Sequence, residues 1–555
     1  MDFSKAFDTV PRSILMNKLK AKGIDGRILD IIKTLYAEDT ASVKIGKKYS
    51  PKFKTSIGVR QGCVLSPLLF NLFLADLQPI LDKCQDNVKI DENLELSCLL
   101  WADDILMLST TEEGLQQKLN QLEIYCRTNK LTVNTDKTQC MVFNKTGRLL
   151  KNYKFTYRNI PLECVREYKY LGFLVTPSGE IRSGLEDLRV RALKAFAKMK
   201  KALGMHFRMN VNNSLHIFNY LIKPILLYCS DFWGCLKQPK NNPIEKLYTS
   251  FCKQLLGVRK QTNTSGVLLE LGLLPITFYS TKMAVKNWER IHLKKANPLL
   301  IASHVYALKK GLPWETSIKN IFASNGLLDT YLHQLSNGED SRRSIANILL
   351  KRLIDQHNQT SMESIRTSSK MKTLSLVKQD TGRETYLETI TNPRHRQAMS
   401  RLRLSGHSLE IERGRYSKTP TEERLCKYCK SKGVNAVEDE AHFLLSCLMS
   451  RELRDEYLPR DILDNIHTST EEKTKQILTN SDLSKNVAKF TFLSFQHREI
   501  TLDVLDTLDS LVKSVESLIT DQKTSKKDSN SDIFVVKNVS PNGLKIVLSR
   551  VDAKM

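Results

Sequence analysis

Leu96-Ser97-Cys98-Leu99-Leu100-Trp101-Ala102-Asp103-Asp104-Ile105-Leu106-Met107-Leu108-Ser109 is an apolar run broken once, by two adjacent carboxylates. Leu96–Leu100 and Ile105–Ser109 have the length and composition of strands, so Ala102-Asp103-Asp104 reads as the tight turn joining them. Neighbouring side chains on an extended strand face opposite ways, and adjacent aspartates converge usefully only at such a turn. An acidic pair close to a core is costly unless a cation neutralises it. In isolation the pair could equally be a polar turn. The rest of the sequence decides between the two readings.

Working outward, a second acidic segment lies at Asp2-Phe3-Ser4-Lys5-Ala6-Phe7-Asp8. Between the two stands Gly58-Val59-Arg60-Gln61-Gly62-Cys63-Val64-Leu65-Ser66-Pro67-Leu68-Leu69-Phe70-Asn71, a glycine-framed turn entering an apolar helix. Such a turn lets backbone approach a nucleotide closely and leaves Arg60 and Gln61 free to contact it. Leu115–Thr128 has helical spacing and Lys169–Val175 is strand-like. Carboxylates on separate strands are what nucleotidyl transfer needs, because it uses two divalent metals about 4 Å apart. The segment up to Val175 is therefore expected to be an α+β unit.

From Ser183 to about His292 the pattern turns helical. Leu185, Leu188, Ala192, Leu193 and Phe196 line one face of the first helix, while Arg182, Arg189, Arg191, Lys194, Lys198, Lys200 and Lys201 surround it. Pro224 interrupts a second helical stretch, and Asn241-Asn242-Pro243 precedes a helix over Ile244–Leu256. Pro298 to about Arg394 is helical and loop-rich. Asp503–Ile519 reads as an amphipathic helix, Asp521–Asp532 as a polar linker, and Ile533–Val539 with Leu544–Val551 as a hairpin around Asn542-Gly543.

A formal charge of +25 over 555 residues points to a polyanionic partner, nucleic acid first. No apolar run is long enough to span a bilayer and no signal segment opens the chain, so an intracellular protein of nucleus or cytoplasm, with no membrane partner, is expected. Most of the 12 cysteines should be buried thiols. Cys426, Cys429, His442 and Cys447 are different: C-x2-C-x12-H-x4-C supplies three thiolates and an imidazole, the ligand set of a closed, structural Zn2+ site. The first pair should sit on a knuckle-like turn and the second pair on a helix.

DFSKAFD, GVRQGCVLSPLLFNLFLADL, WADD, LTVNTDKTQCMVF and YKYLGFLV, in that order, resemble motifs A to E of reverse transcriptases, most closely those of LINE-like, non-LTR retrotransposons of the jockey and chicken-repeat type. The resemblance continues through LIKPILLYCSDFWG and LLELGLLP and covers roughly Asp2 to Tyr457. It implies an α+β right-hand polymerase palm with a helical thumb, a helical connector and a small CCHC zinc module. The corresponding divisions are palm over 1–180, thumb over 181–295, connector over 296–400, zinc module over 401–460, helical tail over 461–520, and linker with terminal hairpin over 521–555.

By that resemblance Asp2, Asp103 and Asp104 bind two Mg2+ ions, and Lys137 protonates the leaving group. Phe7 is an aromatic gate against a ribose 2′-hydroxyl, and Arg60, Gln61 and Gly62 contact the incoming nucleotide. Residues 168–175 form the hairpin that supports the primer end, and the thumb helix lies along the duplex. Trp101 stands where most relatives carry Tyr or Phe. The implied activity is RNA-directed DNA polymerisation from dNTPs, with an RNA template and a DNA primer or target as partners. Since the chain opens at Met1, the resemblance further implies a palm truncated at its N-terminus, with the fingers missing and Asp2 on a frayed end that impairs catalysis. The rival is a catalytically inactive nucleic-acid-binding remnant. An RNA-dependent RNA polymerase is disfavoured by Phe7.

Overall fold

The computed structural model describes residues 1–91, 94–149, 153–202, 210–293, 295–337, 344–524, 533–536 and 548–551. They divide into two compact units. One comprises Met1–Leu255, Thr264–Ser364 and Thr381–Arg383; the other comprises Leu256–Asn263, Ile365–Asp380 and Glu384–Met555.

The first unit begins with mixed helix and strand. The apolar runs around the acidic pair form an antiparallel hairpin, Cys98–Trp101 with Asp104–Met107, in which Trp101 faces Asp104. Ala102 and Asp103 are thus a two-residue loop. Ala102 takes φ 52°, the positive φ with which such loops follow the right-handed twist of their strands. The first residues of the chain lie beside this hairpin as a short extended segment: Asp2 bridges to Asp104 and Phe3 bridges to Val133.

Five helices pack on this centre. Arg12–Ala21 buries Leu15 and Leu19, and Gly26–Ala37 buries Leu29, Ile32 and Tyr36 on one stripe. Ser66–Leu74, with Pro67 in its first turn, buries Leu69, Phe70, Phe73 and Leu74. Leu77–Asp82 follows it, and Glu112–Asn129 is capped by the Thr111 hydroxyl, which accepts from the Gly114 amide at 3.0 Å. Phe3, Val10, Phe70, Phe73, Ile105, Leu122 and Cys126 belong to a single apolar cluster. Truncating a fully buried phenylalanine such as Phe70 would cost about 3–5 kcal/mol. Lys18 ties three of these helices together, donating to Asp76 Oδ1 and the Phe73 carbonyl at 2.8 Å and to the Tyr125 hydroxyl at 2.9 Å. The Lys169–Val175 stretch is a hairpin, Tyr168–Tyr170 with Phe173–Val175, turning at Leu171-Gly172.

Helix Arg182–Ala202 buries Leu185, Leu188, Ala192, Phe196 and Met199. Leu193, expected on that face, is 42% exposed; its place one residue past Ala192 turns it off the stripe. Gly184 is required here, since a Cβ would fall 2.4 Å from the Phe173 ring of the hairpin. Pro224 does not stop its helical stretch. Val211–Ile217 passes through a π turn at Phe218–Ile222 into Lys223–Leu226, and the widened turn accommodates the missing amide. Helices Ile276–His292, Pro313–Ser324 and Ile345–Arg366 contribute to a second core around Trp288, Phe322, Tyr331 and Leu349.

In the second unit, helix Pro393–Arg403 packs against Ser484–Thr524, which is 41 residues long. The sequence shows only its later, amphipathic part. Val487, Ala488 and Phe490 near its start are fully buried, while Lys485, Asn486 and Lys489 beside them are exposed. The helix continues into the expected polar linker as far as Thr524. Strands Ile533–Val536 and Leu548–Val551 pair antiparallel, and Asn542-Gly543 lies outside the described residues. Among the described residues no helix is long and apolar enough to cross a membrane.

Candidate active site

Asp2 is held from both sides. Along one edge the Ile105 amide donates to the Met1 carbonyl at 3.0 Å and the Met1 nitrogen donates to the Ile105 carbonyl at 2.8 Å. Along the other, the Asn134 amide donates to the Asp2 carbonyl at 2.9 Å and the Ser4 amide to the Thr132 carbonyl at 2.8 Å. The expectation of a frayed Asp2 is therefore corrected: residues 1–4 are the middle of a three-segment ladder, and Phe3 within them is 3% exposed. Sequence reading could not see this, because both partners are far away along the chain.

The ladder sets Asp2 directly opposite Asp104, with Asp103 at the adjoining hairpin tip. Side chains of directly opposed residues share one face of a sheet, and like charges so placed repel. Burial raises the Asp104 carboxyl above the usual carboxylate range, and the nearby charges of Asp103 and then Asp2 add to the rise. Lys137 supplies one compensating cation, its Nζ 3.2 Å from Asp2 Oδ2. Lys137 is carried on a turn started by Asn134, whose side chain accepts from the Lys137 amide at 3.3 Å. Two carboxylates opposed in the ladder, a third at the adjoining hairpin tip and an exposed ammonium beside them are groups of the kind that attract divalent cations.

Phe7 stacks on Phe70 with ring centroids 4.9 Å apart, which fixes it against the core beside the acidic ladder. Asp8 Oδ1 accepts from Gln61 Nε2 at 2.9 Å. The glycine-framed turn is sewn to this segment: the Gly58 amide donates to the Val10 carbonyl at 2.8 Å and the Val59 amide to the Phe7 carbonyl at 2.7 Å. Gly58, at φ 85°, lies so close that a Cβ would meet the Asp8 carbonyl oxygen at 2.7 Å. Gly62, at φ 80°, faces open space.

Arg60 is turned elsewhere. It donates to Asp39 Oδ1 and to the Leu35 carbonyl, both at 2.9 Å. The residue that organises this corner, Arg12, carries no sequence signal. It donates to the carbonyls of Gly58 at 2.9 Å and Tyr36 at 3.1 Å, to the Thr55 hydroxyl at 3.0 Å and to Asp39 Oδ2 at 2.7 Å. Burial alone would raise the Asp39 carboxyl, but the hydrogen bond from Thr55 and the guanidiniums of Arg60 and Arg12 outweigh it and hold it below its usual range.

Behind the acidic hairpin a cavity of about 240 Å³ is lined by Asp104, Leu106, Cys140, Phe143, Tyr168 and Tyr170 among others, so hairpin 168–175 stands next to the ladder. Trp101, one residue before the turn, is 66% exposed.

In the second unit Cys426, Cys429, His442 and Cys447 are all buried, with one ligand atom from each within 4.8 Å of the others. Cys447 Sγ lies 3.9 Å from both Cys426 Sγ and Cys429 Sγ, and Cys429 Sγ lies 3.5 Å from His442 Nε2. A tetrahedron with metal–sulfur bonds of about 2.3 Å and a metal–nitrogen bond of about 2.0 Å has edges of roughly 3.7 and 3.5 Å, so the cluster could hold zinc. Cys426 and Cys429 flank the start of the short helix Lys427–Ser431, as a knuckle requires. His442 is on helix Glu440–Leu445, whereas Cys447 lies beyond its end, correcting the expectation that both sit on one helix. Ser446 Oγ is 3.1 Å from His442 Nδ1, which leaves Nε2 facing the sulfurs. Arg454 donates to the carbonyls of Leu444 and Cys447 at 2.8 Å, and Arg498 grips both oxygens of buried Glu438 at 2.7 and 2.6 Å.

Residues 1–175 match the reverse transcriptase (RNA-dependent DNA polymerase) family. This segment is a reverse transcriptase domain. The retrovirus-related Pol polyprotein from the type-1 retrotransposable element R2 of Popillia japonica is 29% identical to the chain over 194 residues, covering 34% of this chain and 32% of that protein. The RNA-directed DNA polymerase from the mobile element jockey of Drosophila funebris is 24% identical over 298 residues, 52% of this chain and 32% of its own. A probable RNA-directed DNA polymerase from transposon BS of Drosophila melanogaster is 24% identical over 253 residues, 44% of this chain and 27% of its own. The chain thus matches about a third of the length of these relatives. These relatives are polymerases of mobile elements, and the mixed helix-and-strand core of the matched segment is the palm-type fold of a reverse transcriptase domain.

Proposed function

We propose that the chain is an RNA-directed DNA polymerase that transfers deoxynucleotides from dNTPs to a primer 3′-hydroxyl on an RNA template. The observation that carries this reading is the ladder that holds Asp2 opposite Asp104, beside Asp103, within a reverse transcriptase domain. Asp2, Asp103 and Asp104 would hold two Mg2+ ions, which when bound activate the attacking hydroxyl and neutralise charge on the leaving pyrophosphate. Lys137, paired with Asp2, is placed at the same carboxylates and would deliver a proton to that leaving group.

Phe7, fixed by its stacking on Phe70, would exclude a ribose 2′-hydroxyl and select dNTPs. Gln61 and Gly62 would meet the incoming nucleotide at the glycine turn; Arg60, tied to Asp39, would act by holding that turn in place. Residues 181–295 would serve as a thumb, with the exposed Arg182, Lys194, Lys198 and Lys201 meeting duplex phosphates. Residues 296–400 would form a connector, 401–460 a CCHC module holding Zn2+ and contacting template RNA or target DNA, and 461–520 a helical tail before the terminal 521–555. A site of action inside the cell, in nucleus or cytoplasm, follows from those partners.

Primer extension tests the reading. Purified protein with Mg2+, a primed RNA template and dNTPs should make cDNA, and Asp103→Ala should abolish it. Equal product from the two proteins would sink the proposal and leave a nucleic-acid-binding remnant. Preferential use of ribonucleotides would replace it with an RNA polymerase.

A further inference from the structure

The turn of hairpin 168–175 is an unusual piece of backbone. Leu171 at φ 45° and Gly172 at φ 82° are consecutive left-handed residues, the arrangement of a tight primed turn, and leucine adopts it at a cost. Both carbonyls of the turn are captured, each from a different element. The Tyr228 hydroxyl donates to the Leu171 carbonyl, and Arg191 Nη2 donates to the Gly172 carbonyl at 2.7 Å. Arg191 comes from helix Arg182–Ala202. Tyr228 comes from the bend after Lys223–Leu226, where Cys229 at φ 55° reverses the chain.

The capture is buttressed below the turn. Asp187, one helical turn before Arg191, pairs with Arg191 Nε at 2.9 Å and with Lys169 Nζ at 2.7 Å, so one carboxylate joins the hairpin's first strand to the guanidinium that holds its tip. The fit of tip to ring is close: a Cβ on Gly172 would lie 3.3 Å from the Tyr228 ring and hydroxyl. Phe173 fills the notch left by Gly184, and its ring meets Phe232 edge-on at 6.4 Å. Nothing in this network reaches the acidic ladder directly. Its output is the position of the hairpin, whose Tyr168 and Tyr170 line the same cavity as Asp104.

We infer that Tyr228 and Arg191 are positioning residues of nucleotidyl transfer: by holding Leu171-Gly172 they set where the primer terminus rests against the carboxylates. This rests on the polymerase reading given above. It separates two kinds of substrate interaction, because the latch touches the element that would carry the primer and shares no hydrogen bond or ion pair with Gln61 or Phe7, where the nucleotide would bind. Loss of the latch should therefore appear in the use of primer–template and leave the use of dNTP alone.

The test uses the full chain with Mg2+ and a primed RNA template, first varying primer–template at saturating dNTP, then dNTP at saturating primer–template. Tyr228→Phe keeps the ring and removes only the hydroxyl donor; Arg191→Met removes the guanidinium. Each should lower kcat/KM for primer–template about fivefold, the worth of one hydrogen bond, and the double variant about twentyfold or more. The KM for dNTP should stay within twofold. Arg191→Lys should recover part of the loss. Hydrogen exchange at the amides of residues 169–174 should accelerate in Tyr228→Phe while that of helix Glu112–Asn129 is unchanged, a pattern that general destabilisation would not give. Variants with wild-type kcat/KM for primer–template, or with equal losses for both substrates and a uniformly faster exchange, overturn the proposal alone. A wild-type chain that extends no more primer than Asp103→Ala overturns the polymerase reading and this proposal with it.

Discussion

Replacing Arg12 by methionine keeps the volume of the side chain's stem and removes the guanidinium that binds the Gly58 turn to Asp39. Five interactions go with it: the carbonyls of Gly58, Tyr36 and Thr55, the Thr55 hydroxyl and Asp39 Oδ2 all lose a donor. Each charge-assisted bond contributes about 1.5–3 kcal/mol, but they share one group and are not additive. Most of the loss falls on Asp39, whose side chain is 13% exposed and would keep only Arg60 as a cationic partner. Removing one partner of a buried pair costs about 3–5 kcal/mol, and the remaining Arg60 contact brings the expectation to the lower end, about 3 kcal/mol.

For a unit of this size that corresponds to a fall in Tm of roughly 4 °C, measurable by calorimetry as the first unit's transition. The pH dependence has a definite sign. Asp39 is held below its usual pKa in the fold, so its stabilisation is complete above about pH 4 and is lost as pH falls through the folded value. The gap in Tm between wild type and Arg12→Met should accordingly be full at pH 7 and shrink below pH 4. A variant melting within 2 °C of wild type at pH 7, or a gap that widens in acid, would refute the view that Arg12 organises this corner.

Three further outcomes follow from the same structure. Cys429→Ser, or treatment with a strong chelator, should release about one equivalent of zinc and lower the melting temperature of the second unit only, read by metal analysis and differential scanning calorimetry. Arg498→Met should cost the second unit about 3–5 kcal/mol, since buried Glu438 loses its bidentate partner, whereas the paired change Arg498→Met with Glu438→Gln should recover part of it in denaturant melts. His292, lowered to about 4 by burial and by the neighbouring His304, resists protonation in the fold, so stability should fall as pH drops from about 6.5 toward 4. Allowing for its partial exposure the loss is about 2 kcal/mol, and His292→Gln should flatten the wild-type difference in Tm between pH 7 and pH 5.

The local parts of the site are legible in the sequence. The hairpin around Asp103-Asp104, the helix over Leu115–Thr128 and the Cys/His spacing each depend on residues close together in the chain, where turn chemistry and periodicity act. The illegible parts are those made by distant partners. Asp2 reads as an exposed end until the strands at Asp104 and Val133 are seen on either side of it. Arg60 reads as a nucleotide contact because nothing near it in sequence announces Asp39. Leu193 falls on the buried face under a periodicity that tolerates one residue of drift, and helix Ser484–Thr524 reads short because only its later part reads as periodic.

The ladder that holds Asp2 opposite Asp104 bears on how this pair of carboxylates could ever be lost or regained. Their separation is an interstrand spacing, the roughly 4.8 Å lateral repeat of a sheet, set by main-chain hydrogen bonds and independent of which side chains surround it. Substitution around the site can therefore drift widely while the distance between the acids stays constant, whereas a single inserted residue in either neighbouring strand would flip one acid to the opposite face. Such a site tolerates divergence in identity and is intolerant of changes in length.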